Sequence, residues 1–333
     1  MSAAPAFRPA GGLGHPMLQS ILATKRPAAR LWRAQGVDLS ASQQWRVLDT
    51  RDEAGAPVQL TAALNRQPAG ARERLAVLIH GWEGSHESSY LYSMACALFG
   101  AGWSTLRLNL RDHAGSHALN REMFHSARMA EVIGAIQRVV EECTPSRLVV
   151  VGFSLGGNFA LRVGLQGPAA GLRPDLAIGI SPSVDPEATL RAIDAGPRLF
   201  HRYFLDKWHR TLDAKARAFP GVYDFTRQRQ LRSFLELTRV FVEEHTPYPS
   251  LADYFAQYTL RAETLIQSPA PLALLTSRDD SVIPFEGFAG LSARGAVQAF
   301  QAVDRGGHCG FIENWRLQSW AEQQVLGWLA ALR

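Results

Sequence analysis

The chain has 333 residues, 47% of them hydrophobic, and a net charge of +5. It can fill one large core, or one core carrying an insertion, and no apolar run reaches the ~18 residues of a membrane-spanning helix. The three cysteines form no CxxC pair, which argues against a zinc ribbon or disulfide framework and fits a reducing cytoplasm. The basic excess contains no block of like charge and no nucleic-acid motif, so no nucleic-acid partner is expected.

Residues 1–45 read as an irregular, proline-rich arm. Pro5, Pro9 and Pro16 interrupt any apolar stretch, so it is not a secretory signal. QWRVLDTRDEAGAPVQLTAAL then reads as two strands around a turn at 53–56. Short apolar runs follow at 74–81, 103–111, 147–154 and 176–183. Between the second and third lies an amphipathic helix, with Met129, Val132, Ile133, Ile136, Val140 and Cys143 on one face and Pro145 at its end. Strands alternating with helices at this spacing predict a mostly parallel, doubly wound sheet covered on both faces. From about 186 to 261 the strand-like runs stop. Helical patterns rich in aromatics replace them, including Phe200, Tyr203, Phe204, Trp208, Phe234 and Phe241. Strands return at 271–277 and 297–303, and a last helix presents Leu317, Ala321, Val325, Trp328 and Leu332 on one face. The expected division is an arm (1–45), an α/β core in two parts (46–185 and 262–333) and a helical lid between them (186–261).

Gly152-Phe153-Ser154-Leu155-Gly156 lies between a predicted strand and a predicted helix. A G-x-S-x-G in that context raises a serine hydroxyl above the sheet on a tight turn. A glycine-rich turn with Ser154 as a helix cap is the bland alternative. A serine nucleophile needs a histidine base oriented by a carboxylate, and on this fold the chain order is serine, acid, histidine. SRDDSVIP supplies Asp279 and Asp280 after a late strand. DRGGHCGFIENW supplies His308 after the final strand. A developing oxyanion needs donors. The N–H of Leu155, next after the serine, is one; the N–H of Trp82, in the His80-Gly81-Trp82 turn, is the other. His80 itself is expected to fix that turn. His113, His117 and His125, with Asp112 and Glu122 nearby, do not match a zinc spacing and read as pocket-shaping loop residues, so no metal is expected.

The segments GLGHPMLQS, HGWEGSHESSYL, LNLRDHAGSHALNREMFHS, GFSLGGN, PSLADYFAQYT, DDSVIP and GGHCGF together resemble the α/β-hydrolase superfamily, and within it the YheT-like hydrolases. The resemblance runs over nearly the whole chain, and several of these segments are particular to the subgroup. It implies an α/β-hydrolase fold with serine-dependent hydrolysis of carboxylic esters, no cofactor and a small-molecule ester substrate. It also implies Asp280 as the acid, because in such hydrolases the acid precedes a run like Ser281-Val282-Ile283-Pro284. The chain departs from the family pattern at Arg111-Asp112-His113, where Arg-Gly is common, and at Trp82, where leucine is usual. The same elbow serves thioesterases, acyltransferases and non-catalytic ligand-binding relatives. The basic residues of the insertion, among them Arg191, Arg198, Arg202, Lys207, Arg210, Lys215 and Arg217, read either as a solvated face or as a weak contact for an anionic membrane surface.

Overall fold

The computed structural model describes residues 6–68 and 73–332. The chain opens with α1 (Pro16–Lys25) and α2 (Ala28–Arg33), then the hairpin β1 (Gln43–Arg51) and β2 (Pro57–Asn65). Next come β3 (Arg74–Ile79), α3 (Ser89–Gly100), β4 (Ser104–Asn109), α4 (Ala130–Cys143), β5 (Arg147–Phe153), α5 (Leu155–Gln166) and β6 (Leu176–Ile180). Five helices follow without a strand: α6 (Pro186–Ala195), α7 (Arg198–Ala218), α8 (Thr226–Gln230), α9 (Phe234–His245) and α10 (Leu251–Ala256). The chain closes with α11 (Ala262–Ile266), β7 (Leu272–Ser277), β8 (Val297–Val303) and α12 (Trp320–Ala330).

Among the described residues the strands form one eight-stranded sheet, ordered β1-β2-β4-β3-β5-β6-β7-β8. The β1–β2 and β2–β4 pairs are antiparallel, and every pair from β4 to β8 is parallel. The central parallel strands are buried almost throughout, because helices cover both faces, and so they read as continuous apolar runs. Leu91 and Met94 of α3 and Trp320, Val325 and Trp328 of α12 fill one face. Val132 and Ile136 of α4 and Phe159 and Val163 of α5 fill the other. This is the α/β sheet expected from the alternation of runs. α4 ends where expected, at a left-handed Thr144 (φ 43°) before Pro145.

Two local expectations are corrected. The first 45 residues are not irregular, since they contain α1 and α2. Pro16 is the first residue of α1, where a missing N–H costs nothing, and Pro27 immediately precedes α2, so these prolines start helices rather than break them. The last helix begins at Trp320, not at Leu317. Leu317 sits before it in a left-handed conformation (φ 60°), its N–H donating to Asn314 O, and Leu332 lies beyond the helix end.

The helical insertion leaves and re-enters the core at one place. Leu260 N–H donates to Val184 O at 2.8 Å, and Asn158 Nδ2 on α5 donates to both Ser183 O and Tyr258 O at 2.7 Å. α7 carries an apolar stripe, Leu205, Trp208 and Leu212, into the cluster beneath the insertion. Beside it Lys207, Thr211 and Lys215 repeat every four residues and so share one face. Lys215 is wholly buried; its ammonium donates to Asp112 Oδ1 at 2.8 Å and Asn120 O at 2.6 Å. Lys207 also turns inward, to Glu83 O at 2.8 Å. Two of the seven basic residues read from the sequence as surface charge are therefore internal anchors. No helix among the described residues is long and apolar enough to cross a membrane.

Removing one partner of a buried ion pair leaves the other charge uncompensated, at a cost of ~3–5 kcal/mol. Lys215→Met is expected to lower the unfolding free energy by about that amount in urea titrations, and Lys215→Met with Asp112→Asn by distinctly less. Equal losses in the single and double variants would contradict the pairing.

Candidate active site

Ser154 joins β5 to α5 with φ 55° and ψ −121°, a conformation that costs a non-glycine residue of order 1–3 kcal/mol. The neighbours impose it. A Cβ on Gly152 would lie 1.9 Å from Gly156 O, and one on Gly156 would lie 2.2 Å from Ile79 O. Only glycine lets β5, α5 and β3 approach this closely. Ser154 N–H donates to Ile180 O at 2.9 Å, and Ser154 O accepts from Asn158 and Ser183 at 3.1 and 3.2 Å. The bend is thereby pinned to β6 and to the start of α5.

His308 Nε2 lies 3.0 Å from Ser154 Oγ, and its Nδ1 lies 2.9 Å from Asp280 Oδ2. Asp280 Oδ1 accepts from Val282 N–H at 2.8 Å and Ile283 N–H at 2.9 Å, which fixes the carboxylate. Asp279 points elsewhere: its Oδ1 accepts from Gly306 and Gly307 N–H, both at 2.9 Å. The adjacent aspartates divide the work, one facing the imidazole and the other holding the glycine turn that presents it. Burial disfavours the imidazolium, but the Asp280 carboxylate and the neighbouring Cys309 together outweigh it and hold His308 well above the ordinary histidine range. A serine hydroxyl against such an imidazole can give up its proton as it attacks an electrophile.

The 81–84 turn lies opposite. Gly81 N–H donates to Tyr90 Oη at 3.0 Å, and Glu83 N–H donates to His113 Nε2 at 3.1 Å. Between them, Trp82 N–H has no protein acceptor among the described residues, and Leu155 N–H is the first of α5, which intrahelical bonding leaves free. These are the two sequence-predicted donors. His80 behaves as expected: its buried ring donates from Nδ1 to Gly81 O at 2.7 Å and accepts from Leu110 N–H at 3.2 Å. Burial drives His80 well below the ordinary histidine value and His113 to about 4, so both rings are neutral and can accept these amide protons.

Sequence reasoning missed three supports. Glu83 (φ 55°) is gripped by the insertion, its carbonyl by Lys207 and its Oε2 by Thr211 Oγ1 at 2.8 Å. α1 braces the histidine loop, with Ser20 Oγ accepting His308 N–H at 2.8 Å and buried Gln19 accepting Ile312 N–H at 2.7 Å. Tyr90 is the third. For Glu83, the four-residue spacing of Lys207, Thr211 and Lys215 along α7, beside the apolar stripe of Leu205, Trp208 and Leu212, was the available signal.

Ser154 and His308 open into a cavity of about 530 Å³ whose walls include Trp82, Phe204, Trp208, Phe234, Tyr254 and Tyr258. The Trp82 ring stacks near Phe204 and meets Trp208 and Phe234 edge-on. The aromatics thus serve both as the insertion's packing and as the cavity wall. No cluster of three or more His, Cys, Asp or Glu among the described residues is placed to hold a metal ion. Asp112 is bound by Lys215, and His113 by Arg111 O and Glu83 N–H.

A mostly parallel sheet, a strained serine between strand and helix and a following acid and histidine define a class, and the comparisons agree with it. The profile of the Alpha/beta hydrolase family matches residues 76–317, and the chain belongs to that family. It is similar to the Escherichia coli (strain K12) protein named "Putative esterase YheT", with 25% identity over 328 residues, 97% of this chain and 92% of that one. Among solved structures, an esterase of Pyrobaculum calidifontis matches with a TM-score of 0.56 at 16% identity, covering 95% of this chain and 96% of the other. An esterase of Pyrococcus furiosus matches at 0.54 and 14% identity, covering 87% and 91%. At those identities the two structures establish a common fold.

The two aspartates can be separated by the rate at which a fluorophosphonate labels the protein. Asp280→Asn presents an amide to Nδ1 and favours the wrong tautomer; the corresponding change in a protease triad costs ~10⁴-fold. Asp279→Asn keeps an oxygen for Gly306 and Gly307 and should label far faster than Asp280→Asn. The base must be neutral to act, so the wild-type rate should rise with pH through an apparent pKa above the ordinary ~6.5 of histidine. In Asp280→Asn that limb should move down. The opposite ranking of the two variants would assign the acid to Asp279.

Proposed function

We propose that the protein is a serine carboxylic ester hydrolase acting through an acyl-enzyme, on small to medium or lipid-like acyl esters. Ser154 Oγ attacks the ester carbonyl while His308 Nε2 takes its proton. Asp280 holds the imidazole in the tautomer that leaves Nε2 free, and stabilises the imidazolium that forms. The N–H groups of Trp82 and Leu155 receive the negative charge that develops on the carbonyl oxygen. Losing one such donor typically costs ~10²–10³-fold in rate. His308 returns the proton to the leaving alcohol, and water then enters by the same route to release the acid. No cofactor takes part. Residues 186–261 act as a lid whose aromatics cover the acyl group.

The observation that carries this reading is the unbroken relay Ser154–His308–Asp280, at 3.0 and 2.9 Å, opening into an apolar cavity. The esterase names of the relatives favour an ester over a thioester. No feature among the described residues favours an acyltransferase or a binding protein.

The test is turnover of p-nitrophenyl esters and acyl-CoAs by wild type and Ser154→Ala. The expected outcome is ester hydrolysis with fluorophosphonate labelling in wild type, and loss of both in Ser154→Ala. For acetyl through decanoyl esters, each usefully buried methylene adds ~0.8 kcal/mol, roughly fourfold in kcat/KM. Faster turnover of acyl-CoAs would move the reading to a thioesterase. A chain-length profile that is flat or falling from acetyl would reduce the aromatics to lid packing.

A further inference from the structure

We infer that Glu83 is a specificity residue, and that the natural ester carries a hydrogen-bond donor, a hydroxyl or an ammonium group, that binds its carboxylate. This rests on the esterase reading. Glu83 lines the same cavity as Ser154 and Trp82. One carboxylate oxygen, Oε2, accepts from Thr211 Oγ1 at 2.8 Å. The other, Oε1, has no hydrogen-bond partner among the described residues, and it is not sealed away but keeps accessible surface. The residue is half-buried, and the surface left to it faces the cavity it lines. Lys207 does not serve as its counter-ion: that ammonium goes to Glu83 O at 2.8 Å and stands over the Tyr203 ring.

The turn itself does not require a carboxylate. Its peptide is held by Lys207 at the carbonyl and by His113 at the amide. A backbone at φ 55° is entered more cheaply by glycine or asparagine than by glutamate. Thr211 asks only for an acceptor, which a neutral amide would supply. An acid is nonetheless kept here, in a cavity walled by Trp82, Phe204, Trp208 and Phe234, where an unpaired carboxylate is costly. A strained backbone and a perturbed carboxyl facing a cavity are features that gather at functional sites.

The chemistry of the carboxyl sets the class of group it recognises. Burial raises it to about 7; Thr211, Lys207 and Arg210 draw it down, Asp112 pushes it up, and His113, at about 4, is neutral in that range. Once ionised the carboxylate only accepts, so its partner must donate. A substrate carboxylate has no proton to give and meets like charge. A hydroxyl donates without charge. An ammonium donates and also supplies a counter-ion, against aromatic walls that favour cations. Either group binds the ionised form more tightly than the protonated one, so the selectivity it confers must itself titrate with Glu83.

The experiment measures kcat/KM for medium-length acyl esters that carry a hydroxyl, an amino or a carboxy group at successive carbons, placed on the acyl chain in one series and on the alcohol in another. Each value is divided by that of the plain ester at the same pH, which cancels the titration of His308. At one position the hydroxyl or amino ester should exceed the plain ester by about tenfold or more, the worth of a hydrogen bond to a charged group. That ratio should rise with pH through about 7, and the carboxy ratio should fall. A preference for the amino ester above the hydroxyl ester identifies the donor as an ammonium; the reverse identifies a hydroxyl. Glu83→Gln should remove the pH dependence of the ratio. Thr211→Val takes away the hydrogen bond that lowers the carboxyl, so the midpoint of the rise should move up, a shift that a merely structural Glu83 would not give. Thermal melting checks that each variant is folded, and the wild-type ratio decides the matter even if neither variant is. The inference is overturned if no donor-bearing ester exceeds the plain one, if the carboxy ester is preferred above pH 7, or if a folded Glu83→Gln keeps the wild-type ratio and its pH dependence. Turnover of plain esters without a preference sinks this inference alone, whereas no turnover of any ester, plain or substituted, sinks the esterase reading and this with it.

Discussion

Everything at the site hangs on the contact between Gly152, Gly156 and the end of β3. Without side chains at those two positions, β5 can stop abruptly, α5 can start one residue later, and Ser154 is left on a bend no strand or helix would allow it. The strain is local. The hydrogen bonds of the Ser154 peptide to Ile180, Asn158 and Ser183 distribute it into the two flanking elements. The same bend puts the first free amide of α5 beside the hydroxyl, so in the proposed mechanism one backbone geometry would supply both the attacking oxygen and a donor for the charge it creates.

The two pieces of chain outside the central sheet each hold one half of what surrounds that hydroxyl. The N-terminal arm reaches the histidine side: Ser20 fixes the His308 amide, and Gln19 bonds Ile312 N–H and, through its own amide, Leu13 O and Ile312 O. Gly307 and Gly310 pack so tightly on α1 that a Cβ on either would strike it. The insertion reaches the opposite side through Lys207 and Thr211 on Glu83, and through Lys215 on Asp112. Asp112 and His113, the departures from the common Arg-Gly pattern, become intelligible here. The acid receives the buried lysine of α7, and the histidine accepts the Glu83 amide, leaving Trp82 N–H as the free one in its turn.

The sheet and the central residues were legible because each has a short-range signature. Continuous apolar runs mark buried parallel strands, and Ser154, His308 and the Asp279-Asp280 pair stand in glycine- or turn-rich stretches at strand ends. What was not legible depends on contacts remote in sequence. The run Ser281-Val282-Ile283-Pro284 pointed to Asp280 only through the resemblance; adjacency at a strand end says by itself only that the two aspartates diverge, and the Gly306 and Gly307 amides that hold Asp279 lie far along the chain. The arm looked irregular because proline was counted as a breaker, whereas Pro16 and Pro27 stand at helix starts, where its missing N–H is harmless. Lys215 looked like surface charge because its partner, Asp112, lies about a hundred residues earlier. A cation's burial is set by the acid it meets, and no window of sequence contains both.

The junction at Glu83 also shows which part of this coupling is indifferent to pH. Burial raises the Glu83 carboxyl to about 7, against the pull of Thr211 and Lys207. A carboxyl raised on folding stabilises the fold below its unfolded pKa of ~4.3 and loses that contribution as pH climbs through about 7. The Thr211 contact belongs to that titrating group. The Glu83 carbonyl bonded to Lys207 and the Glu83 amide bonded to His113 do not, and His113, held at about 4, is neutral as the pH climbs through about 7. The turn bearing Trp82 is therefore positioned by main-chain hydrogen bonds on both sides of residue 83, and it keeps its shape as the side chain between them changes charge.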